Sequence, residues 1–184
     1  MKTPYNEIVN IASIGSQTNP ISLNEILRKA NDEQLTPAAQ NKERVLFLGI
    51  DVQQDFMDNG ALGVPGAHGD VERMTQFIYN NMDKITNIAV SIDTHTPHQI
   101  FHPCWWIDEN GNNPAPYTPI TLADLDSGKY RAVIYPRQSR DYVEHLEKDG
   151  KKTLCVWSYH CLQGTSGAAF ENQFANMIYF HSVA

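Results

Sequence analysis

Asp93-Thr-His95 sets a carboxylate and an imidazole two positions apart, and Ser158-Tyr-His160-Cys161 offers a second imidazole further on. One carboxylate with two imidazoles suits a borderline divalent ion such as Zn²⁺, Mn²⁺ or Fe²⁺, with positions left for water or substrate. The plainer alternative is that Asp93 caps a turn and both histidines are solvated. His98 and His102 follow closely, open either as a fourth ligand or as residues of a pocket rim. Asp51 stands directly after Val45-Leu-Phe-Leu-Gly-Ile50. A carboxylate at the end of an apolar run is costly unless it is paired, capping a turn or poised as a base. Phe56 and Trp157 lie near these polar positions and can be core residues or pocket walls.

The elements that must position these groups are short apolar runs: Val45–Ile50, Ile88–Ile92 and Thr153–Trp157. Short continuous apolar runs separated by helical stretches read as parallel strands covered on both faces. Ligands of open α/β sheets bind at the carboxyl ends of their strands. Three such strands side by side would bring Asp51, Asp93, His95 and His160 to one edge. Asp70 can cap a helix whose apolar positions are Val71, Met74, Phe77, Ile78 and Met82, and strand, helix and strand then form a crossover unit. The fold class expected is therefore α/β with a parallel sheet.

Residues 1–40 are polar and mixed, an N-terminal extension with one short helix at Ser22–Lys29 that Thr36-Pro37 interrupts. The domain proper spans 41–184 with an insertion at 103–150, whose first half reads as loop. Ile120–Leu125 and Asp141–Glu147 are predicted as short helices, the second stopping at Gly150. An insertion rooted at a strand's carboxyl end reads as a lid or binding loop. After the third run, Gly164-Thr-Ser-Gly167 precedes a helical pattern carrying Phe170, Phe174, Met177, Ile178 and His181 on one face.

Composition removes several function classes. The 184 residues are 41% hydrophobic and 19% charged, enough apolar material for a core. A formal net charge of −7 with no basic stripe argues against a nucleic-acid partner. No apolar stretch approaches the roughly 20 residues that span a bilayer, and the N-terminus lacks the apolar core of a signal peptide. Three cysteines without secretory features point to a reducing cytoplasm.

Asp51-Val-Gln-Gln-Asp55-Phe56 resembles the D-x-Q-x-D-F signature that opens the isochorismatase-like cysteine hydrolases. Asp93-x-His95, with Trp157-Ser-Tyr-His160-Cys161-Leu-Gln-Gly-Thr-Ser-Gly-Ala168, resembles the metal site and the W-P-x-H-C-x-x-G-T-x-G-A segment of the nicotinamidases in that family. The likeness runs in order from about Val45 to Ala168, with Ser158-Tyr159 where the family often has proline. It implies a three-layer, doubly wound parallel sheet and hydrolysis of nicotinamide to nicotinate and ammonia by a Cys, Lys and Asp triad. Carried over by position, Asp51 is the triad carboxylate. Asp93, His95 and His160 hold a divalent metal (Zn, Mn or Fe) that anchors the pyridine nitrogen, and Phe56 and Trp157 flank the ring.

The resemblance places the triad Lys and Cys on strands after the last helix, and none of Cys104, Cys155 and Cys161 fits the nucleophile by motif. The expectation is then the N-terminal part of such a hydrolase, its sheet incomplete. Such a sheet leaves an edge unpaired and apolar faces undercovered, which calls for a homo-oligomer or a sheet-completing partner. Two other readings stay open: a hydrolase of this fold acting on another amide or an isochorismate-like vinyl ether, and a non-catalytic metal- or ligand-binding chain.

Overall fold

The computed structural model describes residues 1–184, which divide into two units: 1–93 with 164–184, and 94–163. The first unit is built on a parallel pair, β1 (Val45–Gly49) and β2 (Ile85–Val90), in a register that sets Leu46 opposite Asn87 and Gly49 opposite Val90. Parallel strands need a crossover, and here α2 (Ala67–Asn80) supplies it. Phe47, Ile88 and Val90 turn toward a core that includes Val71 and Ile78 of α2 and Ile85. Leu46 and Leu48 alternate to the opposite face and are left exposed. The unit is thus α/β with an incomplete parallel sheet, covered on one side.

The α2 helix begins three residues before Asp70. Gly66 precedes it at φ 90°, a left-handed conformation that glycine adopts freely, and the Asp58 carboxylate accepts the N–H groups of Gly66 and His68 at 2.6 and 2.8 Å. A carboxylate outside the helix, Asp58, therefore takes the capping role at the helix start that was expected of Asp70. Phe77, read as a core position, is exposed.

The first forty residues contribute to the same core through Ile8, Val9 and two residues of α1 (Leu23–Asn31), Ile26 and Ala30. The last helix, α5 (Asn172–Val183), adds Phe174, Met177, Ile178 and Phe180. Glu171 caps it, its buried carboxylate accepting the N–H groups of Gln173 and Phe174, each at 2.8 Å, and of Gly15 at 3.1 Å. No helix of the chain is long and apolar enough to cross a membrane.

The second unit holds two antiparallel pairs. β3 (Trp106–Asp108) pairs with β5 (Tyr130–Ala132), and β4 (Pro119–Ile120) pairs with β6 (Leu154–Cys155). Helices α3 (Leu122–Asp126) and α4 (Pro136–Lys148) complete it around Trp106, Ile120, Ala132, Val143, Leu154 and Val156. Two expectations are corrected here. The run Thr153–Trp157 does not form a third parallel strand: only two of its residues are extended, and they pair antiparallel with Pro119–Ile120. The helix expected from Ile120 begins at Leu122 instead, because Thr121 forms a reciprocal capping box with Asp124 and Ile120 is taken by the strand. The second predicted helix is longer than expected, starting at Pro136, whose fixed φ and missing N–H suit a first helical turn.

Candidate metal centre

Asp51 follows β1 at φ 53°, a left-handed conformation uncommon outside glycine. Ser91 secures it twice: its hydroxyl donates to Asp51 Oδ1 at 2.6 Å, and its oxygen accepts the Asp51 N–H at 3.1 Å. Two residues on, the fully buried Gln53 lies along the backbone of Asp93. Its amide nitrogen donates to the carbonyls of Asp93 and Ala168, both at 2.8 Å, while its oxygen accepts the Asp93 N–H at 2.7 Å. One side chain thus satisfies both backbone groups of Asp93 and fixes where its carboxylate starts. Asp55 and Phe56 lie in the short turn Gln54–Phe56. The Asp55 carboxylate sits where a Cβ on Gly167 would fall, so only glycine allows that approach.

Asp93 closes the first unit, and the chain reaches His95 two residues later. His95 and His160 belong to the second unit, where backbone hydrogen bonds tie their segments together. The His95 N–H donates to the Cys161 carbonyl at 3.0 Å, and the Gln163 N–H donates to the His95 carbonyl at 2.8 Å. Cys161 makes this possible at φ 45°, its side chain fully buried. The two imidazoles meet edge to face, ring centres 4.8 Å apart, with Phe101 5.0 Å from His95.

Nδ1 of His160 lies 2.8 Å from the Ser158 carbonyl. A carbonyl can only accept, so Nδ1 is the donor in this contact, which fixes the orientation of the ring. The two imidazoles, with the carboxylate of Asp93 two residues before His95 in the chain, are a donor set of the kind that would suit a borderline divalent ion.

Of the other expected residues, Trp157 is part-exposed in the second unit, its N–H donating to the Phe101 carbonyl at 2.7 Å and its ring 6.1 Å from Tyr117. Phe56 and Asp51 lie in the first unit. His98 is exposed, whereas His102 is fully buried, and burial pushes its imidazole below the usual range, His160 and His95 adding to the effect. Cys104 donates its thiol to the Pro97 carbonyl at 3.1 Å, and its N–H donates to the Tyr159 hydroxyl at 3.1 Å. Burial pushes the Cys155 thiol up. Sequence reasoning gave no role to Ser91 or Gln53. Ser91 is the polar residue inside an otherwise apolar run, and Gln53 is the glutamine of the quoted D-x-Q motif. Both signals were present in the sequence.

No protein-family model matches the chain, and no curated protein matches it. Among solved structures, the chain is similar to an Acinetobacter baumanii nicotinamidase/pyrazinamidase at 20% identity and a TM-score of 0.43, over 73% of this chain and 47% of that one. It is also similar to the yeast nicotinamidase Pnc1p bound to the inhibitor nicotinaldehyde, at 17% identity and a TM-score of 0.49, over 77% of this chain and 54% of that one. The chain thus spans about half the length of the structures it matches.

Proposed function

We propose that this chain is the metal-binding part of a nicotinamidase-like amide hydrolase acting on small pyridine carboxamides. The observation that carries the reading is the edge-to-face meeting of His95 and His160, ring centres 4.8 Å apart, with Asp93 two residues before His95 in the chain. The order of the D-x-Q-x-D-F, D-x-H and W-x-x-H-C segments supports it.

An ion held there would supply an electrophilic anchor for the ring nitrogen of the substrate. The chain's own residues do the rest of what it can contribute. Gln53 fixes the backbone from which the Asp93 carboxylate projects. Asp51, held by Ser91, is the base that takes a thiol proton and returns it to the departing ammonia; Phe56 and Trp157 are assigned to the faces of the ring. The balance is amide plus water to acid plus ammonia, through an acyl-thiol step. None of Cys104, Cys155 and Cys161 stands where the resemblance puts the nucleophile.

Equilibrium dialysis against Zn²⁺, followed by the visible spectrum of the Co²⁺ form, tests the proposal. About one ion per chain is expected, lost in Asp93→Ala. Nicotinamide should shift the Co²⁺ bands, and benzamide, which lacks the ring nitrogen, should not. A wild-type chain that binds no ion overturns the reading.

A further inference from the structure

We infer that Tyr117 is a specificity-determining residue that forms, with Trp157, an aromatic corner holding a flat aromatic ring. The inference rests on the reading above for the identity of that ring, a pyridine carboxamide, and adds to it a residue of the inserted segment.

Tyr117 occupies a backbone position suited to glycine. The Thr118 N–H donates to the Ala115 carbonyl at 3.2 Å, closing a four-residue turn with Pro116 second and Tyr117 third. The φ of Tyr117 is 68°. Proline second and a positive φ third mark a type II turn, whose third residue is usually glycine or asparagine. The same residue opens a bulge at the end of the β4–β6 pair. Its N–H donates to the Val156 carbonyl at 2.5 Å, and the Val156 N–H donates to the Thr118 carbonyl at 2.9 Å. Two residues thus face one, the first of them left-handed, which is again a glycine position.

A bulky side chain in that conformation is disfavoured by its own Cβ, and such residues cluster where ligands are held. Burial does not account for it, because Tyr117 is 58% exposed. The bulge instead aims its ring at Trp157, ring centres 6.1 Å apart and planes at 87°. Trp157 is itself 38% exposed. Two accessible, perpendicular rings offer a third ring one surface to stack on and one to meet edge-on, the two arrangements aromatic rings favour. The corner belongs to the unit that holds both imidazoles: the Trp157 N–H donates to the Phe101 carbonyl at 2.7 Å, and the Phe101 ring lies 5.0 Å from His95. Such a corner selects for flatness. Nicotinamide and benzamide suit it, whereas cyclohexanecarboxamide is puckered and has no π-face.

The test titrates these three amides into the metal-free 184-residue chain and follows the Trp157 indole N–H and the Tyr117 ring signals by NMR. Both aromatic amides should shift these signals, with cyclohexanecarboxamide bound at least about threefold more weakly. Tyr117→Asn should weaken benzamide binding about three- to tenfold, the scale of one aromatic contact. Its Tm should not fall, since asparagine accepts the left-handed turn position. Tyr117→Phe keeps the ring and should bind as the wild type does. Signals that no amide moves, or a Tyr117→Asn variant that binds benzamide as tightly as the wild type, overturn the inference. A Tyr117→Asn variant that melts several degrees lower, or does not fold, makes Tyr117 a packing residue and overturns it too. If the chain binds no ion in dialysis while the aromatic amides still shift both rings, the hydrolase reading falls and the corner stands.

Discussion

Ser91 and Asp51 hold one another through a reciprocal pair of hydrogen bonds, side chain to carboxylate at 2.6 Å and backbone N–H to hydroxyl at 3.1 Å. The pair lies where two strand ends come side by side, and it stabilises a left-handed aspartate that the backbone alone would disfavour. Replacing Ser91 by Ala should lower unfolding free energy by about 1.5 kcal/mol, the scale of a hydrogen bond to a charged group. Urea denaturation of the two proteins measures this, and an unchanged midpoint would show that the pair contributes nothing.

Gln53 is the more consequential amide. Its removal in Gln53→Ala leaves the N–H and C=O of Asp93 and the carbonyl of Ala168 without their partner. These groups are only part-buried, so the lost hydrogen bonds should together cost about 1–3 kcal/mol. Because Asp93 would no longer be held in place, Zn²⁺ affinity should also fall by about 10- to 100-fold in whatever fraction stays folded. Competition with a chromophoric chelator separates the second effect from the first.

Gly167→Ala places a methyl group on the Asp55 carboxylate. The Asp55 side chain must then leave its present position, and overpacking of this kind costs about 1–3 kcal/mol. Thermal unfolding should show a lower Tm than wild type. Asp55→Ala on top of Gly167→Ala should recover part of the loss, since it removes the group that the methyl displaces.

The carboxyl of Glu171 is pushed above the usual range by burial, against three backbone N–H groups that pull it down. A folded-state pKa above the unfolded one means the native protein binds the extra proton. The stability it contributes is then full below the ordinary glutamate range and is lost as pH rises through the raised native value. Urea midpoints followed upward from pH 4 should fall across that window in the wild type, and Glu171→Gln should lack that component. The same slope in both proteins would assign the effect to another group.

The two apolar runs that became β1 and β2 were legible because hydrophobic continuity and an amphipathic crossover reinforce each other. The third run was not, since Leu154 and Cys155 found an antiparallel partner at Pro119–Ile120, a pairing between distant residues that no local pattern announces. The stretch after His102, read as loop, contains the strand Trp106–Asp108 and a buried tryptophan. Its Asn- and Pro-rich composition masked three extended residues whose burial depends on contacts with Ala132 and Val143. Asp93, His95 and His160 were singled out from donor chemistry and spacing. The supports were harder to see, because Gln53 and Ser91 act through side-chain hydrogen bonds to distant residues, which leave no periodicity in the chain.

Leu46, Leu48 and Ile50 are 62%, 56% and 65% exposed, three large side chains spaced two apart along β1 and its end. That row sets the colloidal character of the molecule. A net charge of −7 keeps copies apart at low ionic strength, and added salt shortens the reach of that repulsion to about 10 Å at 0.1 M. Salt leaves the apolar row untouched. The chain should therefore be most soluble in dilute buffer and should scatter more light as salt is raised, with Leu48→Lys flattening the trend by breaking the row at its centre.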